Sequence, residues 1–239
     1  MNLRDLSDSE DDEVVYPESP LQASVQPIGS TSVDNPSDRK YTPSDISLIT
    51  NILRENEIGS FVVGSAALRY YGCRLVLSFV AIAVPGILHD RATQLLKDTE
   101  NLVYLGIKPD WVPAGPSLNY PEFKLKDTTL KIILVPDVAW GLRCEPTNIQ
   151  TDEITQLPYP NLPHFMQSLL KTKDLNFLEL LVDGQDSSLE WGFNNLDFGM
   201  HSWKRAAWEK CVAEKQKRIP REKSKDFYAT RFRRKSVEE

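Results

Sequence analysis

Few side chains in this chain are placed to do chemistry, and their spacing is informative. Gly64-Ser65 closes a short apolar run, Phe61-Val62-Val63, and a longer apolar run over residues 75–84 ends at Pro85. Residues 66–71 between them read as a short helix. Carboxylates at alternate positions of the second run would share one strand face and converge on divalent cations, because Mg²⁺ takes hard oxygen ligands. The positions with that geometry are Phe79 and Ala81, which offer a phenyl ring and a methyl group. Ser78 is the only polar side chain in the run and falls on the opposite face. A third apolar run, residues 130–135, contains no acid and carries Lys131, whose charge repels a metal. Asp127 and Asp137 lie just outside it and are the nearest carboxylates, in turn and strand-end positions where Asp usually serves the backbone.

Other chemistries find less support. His89, His164 and His201 are far apart, and no serine stands in a Gly-x-Ser-x-Gly context. Gly64 is a single glycine without the Lys-Ser/Thr signature of a phosphate loop. Cys73, Cys144 and Cys211 show neither a CxxC pair nor zinc-ligand spacing, so a reducing compartment is expected.

The elements that must position these residues follow from periodicity and punctuation. Thr42-Pro43-Ser44-Asp45 is a helix start, and Ile46, Ile49, Ile52 and Leu53 continue it at helical spacing. A strand over 61–63, a helix over 66–71, a strand over 75–84 and a helix over 90–98 are predicted next. Residues 109–121 are Pro-rich and read as a loop, and residues 122–125 and 130–135 flank a hairpin turn. Residues 158–163 read as a second punctuated loop, followed by helices over 163–170 and 174–182 that Gly184 stops. A last helix starts near Ser202, with Trp203, Ala207, Trp208, Cys211 and Val212 on one stripe.

The ends are polarised. Residues 1–41 are acidic and poor in large apolar side chains, the composition of a disordered tail, and Ser7 and Ser9 precede acids in a pattern acidophilic kinases favour. Residues 203–235 hold 13 Lys and Arg against four acids, with Phe227, Tyr228 and Phe232 interleaved. Such a tail suits a solvated helix, a nuclear import signal, or weak contact with nucleic acid or another anion. The start Met1-Asn-Leu-Arg-Asp runs into acid, so neither a secretory signal nor a transit peptide is expected. No apolar run reaches the roughly 20 residues of a membrane span. A soluble intracellular protein, cytoplasmic or nuclear, with no membrane contact is the expectation. Its organisation is an acidic tail (1–41), one folded domain (42–200) and a basic helical tail (201–239).

The strand, Gly-Ser turn, helix and strand of residues 61–85 resemble the nucleotidyltransferase fold, in which Gly-Ser ends the first strand and an Asp-x-Asp pair on the next holds the metals. The likeness extends over residues 44–199. Gly64-Ser65-Ala66, Val84-Pro85, the Leu157 to Pro163 stretch, Asp183-Gly184 and Trp191-Gly-x-x-Asn-Leu-Asp197 together are similar to uncharacterised fungal proteins of that fold. The resemblance implies an α/β (α+β) domain with a mixed sheet flanked by helices. It implies Gly64 and Ser65 as ligand-binding positions, and Phe79, Ala81 and Lys131 as degenerate metal positions. Two functions stand open. One is a catalytically inactive module without a cofactor that binds a protein or a small ligand. The other is a transferase that uses Mg²⁺ and a nucleoside triphosphate through displaced carboxylates, Asp127 or Asp137. A plainer reading makes residues 61–85 part of a generic α/β core in which Gly64 permits a tight turn.

Overall fold

The computed structural model describes residues 42–73, 75–77, 79–107, 119–200 and 202–218. The acidic tail, Ser78, His201, most of the Pro-rich loop and the basic residues beyond Arg218 lie outside these.

Helix α1 (Pro43–Glu55) starts as its sequence dictates: the Asp45 carboxylate accepts from the Thr42 backbone N–H at 2.7 Å and from its hydroxyl at 3.0 Å. Then come β1 (Phe61–Val63), α2 (Ser65–Tyr70), β2 (Val80–Val84), α3 (His89–Lys97), β3 (Leu102–Ile107), β4 (Pro121–Leu125) and β5 (Lys131–Pro136). The chain continues through β6 (Ile149–Thr151), β7 (Pro158–Pro160), α4 (Leu162–Thr172), α5 (Leu175–Gly184), α6 (Leu189–Asn195) and α7 (Ser202–Arg218).

Five strands form one mixed sheet in the order β1-β2-β5-β4-β3, and β6 pairs with β7 in a separate ribbon. Only β2 and β5 run parallel, from Val80 opposite Ile132 to Val84 opposite Pro136. The fold class is therefore mixed α/β, as predicted. Successive side chains alternate between faces. Val62, Ile82, Leu134 and Phe123 share one core with Ile49 and Leu53 of α1 and Ala92 and Leu96 of α3. Phe61, Val63, Ala81, Ala83, Ile133 and Val135 face the other way, onto Trp140 and Leu142.

Several expectations need correction. The second strand starts at Val80 and not at Leu75: β1 ends at Val63, opposite Ala81, and β5 begins at Lys131, so the earlier backbone has no ladder to join. Leu75 and Leu77 pack on the core instead, while Val76 is 96% exposed. Edge strand β3, with a register shift beside Gly106, was not foreseen. The expected loop at 158–163 contains β7, a short strand where prolines are tolerated because neither edge needs every N–H. Residues 189–195 form a helix despite Gly192, capped by the Ser188 hydroxyl accepting from the Trp191 N–H at 3.1 Å.

Helix α7 carries the predicted stripe, and the stripe is buried: Trp208 is fully enclosed, with Ala207, Cys211 and Val212 in the same core as α4 and α5. That core continues past the boundary drawn at residue 200. Lys215, at first sight part of a solvated basic face, is buried; its ammonium donates to the Ser187 carbonyl at 3.0 Å and pairs with Asp186. Among the described residues no helix is long and apolar enough to cross a membrane.

Candidate functional site

Gly64, Ser65, Phe79 and Ala81 come together around the end of β1. Gly64 links β1 to α2 with φ +65° and ψ −143°, a conformation that side chains disfavour. A Cβ there would stand 3.3 Å from the Trp140 ring and 4.0 Å from the Ala81 methyl. Backbone turn, indole ring and methyl thus form one contact layer. Ser65 opens α2 beside it, half-buried.

Sheet register sets the rest of the surface. Across one row, Val63 faces Ala81, Ala81 faces Ile133, Ile133 faces Glu122, and Glu122 faces Gly106. Ala81 and Ile133 are 2% and 5% exposed, and Phe79, just before β2, packs half-buried on the same cluster. Trp140 packs in the same cluster as positions 79 and 81, stacked on Phe177 of α5 with ring centroids 6.0 Å apart. Its indole Nε1 is buried without a hydrogen-bond partner.

Trp140 and Glu122 escaped the sequence reading. Trp140 reaches the layer through a short 3₁₀ turn (Asp137–Trp140) that follows β5. Glu122 is buried on the same sheet face as Ile133, and its carboxylate lies 3.8 Å from the Lys131 ammonium. Its only sequence signal is a lone acid at the start of a predicted strand.

The candidate carboxylates are separated. Asp127 sits at φ +57° in the exposed turn between β4 and β5, and Asp137 follows the other end of β5. Asp137 is buried and already engaged: Oδ1 accepts from the N–H groups of Gly86 at 3.1 Å and Val138 at 2.8 Å, and Oδ2 from that of Cys144 at 3.0 Å. These residues do not fit a magnesium ion. Three of the Asp137 acceptor positions hold backbone donors, Lys131 brings positive charge, and Phe79 and Ala81 have no ligand atoms. Among the described residues no three His, Cys, Asp or Glu side chains gather to hold a metal.

Nearby nucleophiles and bases are also committed. Burial, with the Asp137 charge beside it, pushes the Cys144 thiol well above its ordinary range, so the thiolate is not accessible. His164 Nε2 accepts from the Arg143 N–H at 3.1 Å; burial and then the Lys171 charge lower its pKa, keeping the ring neutral at pH 7. His89 Nε2 lies 3.2 Å from the Leu134 carbonyl.

The layer makes a stability prediction. Gly64→Ala is expected to cost about 3 kcal/mol, combining backbone strain with overpacking against the indole. Adding Trp140→Ala should relieve only the overpacking part. Urea unfolding of the two single variants and the double variant measures both parts, and a Gly64→Ala cost below about 0.5 kcal/mol would contradict the packed layer.

No model of a known protein family matches the chain, and no curated protein matches it. Among solved structures, it is similar to ANT(2'')-Ia in complex with adenylyl-2''-tobramycin, at 10% identity and a TM-score of 0.43, over 70% of this chain and 97% of that one. It is also similar to JHP933 from Helicobacter pylori, at 10% identity and a TM-score of 0.36, over 80% of this chain and 99% of that one. The solution structure of the antibiotic-resistance factor ANT(2'')-Ia aligns at 10% identity and a TM-score of 0.34, over 79% and 93% of the two chains.

Proposed function

We propose that this protein is a nucleotidyltransferase-like scaffold without transfer chemistry, serving as a binding or interaction module. The observation that carries the reading is the row Val63, Ala81, Ile133 with Trp140 seated on Gly64: where a transferase of this fold would hold metal and triphosphate, the chain has a packed apolar layer. Two-metal transfer requires oxygen ligands on both sides of the reacting phosphoryl group, and this row offers one carboxylate, Glu122, which lies 3.8 Å from the Lys131 ammonium. Its partner is a protein or a small ligand, in the cytoplasm or nucleus. The basic C-terminal residues add at most weak, salt-sensitive attraction for anions.

The competing reading is a transferase with displaced carboxylates, and one experiment separates the two. Calorimetric titration with Mg²⁺ and each nucleoside triphosphate, followed by a label-transfer assay, is expected to show no binding coupled to metal, no rise in Tm and no transferred label. A Mg²⁺-dependent rise in Tm that Asp127→Asn or Asp137→Asn abolishes would establish the enzyme instead.

A further inference from the structure

A cavity of about 330 Å³ lies at the opposite end of β1 from Gly64, between the C-terminal turn of α1, residues 58–60 and the β6–β7 ribbon. Its floor and wall are apolar, from Ile58, Ile149 and Pro158. Its polar residues include both signs of charge. Arg54, Glu57, Asn51, Ser60 and Thr151 also line it, and none of their side chains makes a hydrogen bond or ion pair with another described residue. Ser60 is only 5% exposed, so its hydroxyl has little beyond this cavity to serve.

The charges are arranged as a pair: Arg54 and Glu57, three residues apart, stand exposed at the rim without pairing to each other. One offers a fork of donors for a carboxylate and the other an acceptor for an ammonium group.

We infer that this cavity binds a small zwitterion, a free amino acid or a molecule of that size, with its carboxylate on Arg54, its ammonium on Glu57 and a short apolar body against Ile58, Ile149 and Pro158. The volume sits at the small end of ligand sites, about 300 to 1,000 Å³. The hydroxyls of Ser60 and Thr151 and the Asn51 amide supply the neutral contacts that orient it. This site is separate from the Gly64 layer, so the inference goes beyond the proposed loss of transfer chemistry and does not depend on it.

The test is an NMR titration of the full chain with free valine, leucine and methionine, and then with the amine and the deaminated acid corresponding to whichever binds best. At least one amino acid is expected to shift the Ser60 and Thr151 amides saturably. Its two singly charged analogues should bind roughly tenfold or more weakly, and Arg54→Gln and Glu57→Gln should each weaken the zwitterion to a similar degree, since each removes a charge-assisted contact. Both substitutions are at exposed positions, so the fold should persist and the spectra confirm it. No saturable shift with any of the three amino acids would overturn the inference. So would equal binding of all three charge forms, or binding indifferent to Arg54→Gln.

Discussion

Ala81→Asp is expected to destabilise the protein by about 4 kcal/mol or more at neutral pH, because it places an unpaired carboxylate inside a packed apolar layer. Ala81 is 2% exposed and shares its cluster with Phe61, Val63, Ile133 and Trp140, none of which can donate a hydrogen bond to it except through the Trp140 Nε1. Burial raises the introduced group's pKa in the folded state above its unfolded value of about 3.9. The native state then binds more protons than the unfolded one, so stability falls as pH rises. The ionisation part of the cost is absent below that unfolded value, grows as pH climbs toward the raised folded value, and stays constant above it. Ala81→Asn supplies the comparison: similar volume, a cost from the buried amide, and no such pH dependence. Mg²⁺ should not rescue Ala81→Asp, since Phe79 and Ile133 bring no second oxygen to the ion. Urea unfolding across this pH range reads the outcome directly. An Ala81→Asp variant within about 1 kcal/mol of the parent would mean a watered cleft at this position, and would remove the main support for an inactive scaffold.

What could be read in advance is what local chemistry fixes. The Thr42 cap, the apolar runs of β1 and β5, and the break at Gly64 each announce themselves within a few residues. The extent of β2 could not be read, because a strand is as long as its partners allow, and β1 offers only three residues. Prolines at both ends of β7 and the glycine inside α6 argue locally against the elements that form, and contacts made far along the chain override them. The same limit applies to the site. Phe79 and Ala81 could be read as offering no ligand atoms, but nothing near them showed that Trp140, some sixty residues later, packs against the same layer. Asp137 read as a strand-end acid of the kind that usually serves the backbone, but the three donors it meets, from Gly86, Val138 and Cys144, could not be read.

Helix α7 is expected to be indispensable to the fold, despite a composition that suggests a solvated tail. Trp208 is fully buried, tilted against Trp191 with ring centroids 6.0 Å apart, and its indole occupies the space above Gly192, where a Cβ would fall 2.1 Å from the ring. Trp208→Ala should therefore cost about 3 to 5 kcal/mol, a large share of a typical domain's 5 to 15 kcal/mol. Gly192→Ala forces the indole out of place and should cost about 3 kcal/mol. The two effects cannot add, because they act on one contact: with Trp208 already reduced to alanine, the methyl at 192 enters vacated space and should cost much less. A chain ending at Met200 loses Trp208, Cys211, Val212 and the Lys215 link to Ser187 together, and is expected not to unfold cooperatively at all. One ending at Arg218 keeps all of them and should melt like the full chain. Thermal melts of the two truncations, with a double-mutant cycle on 192 and 208, test the whole argument; a well-folded chain ending at Met200 would show that α7 is the accessory tail its charges suggest.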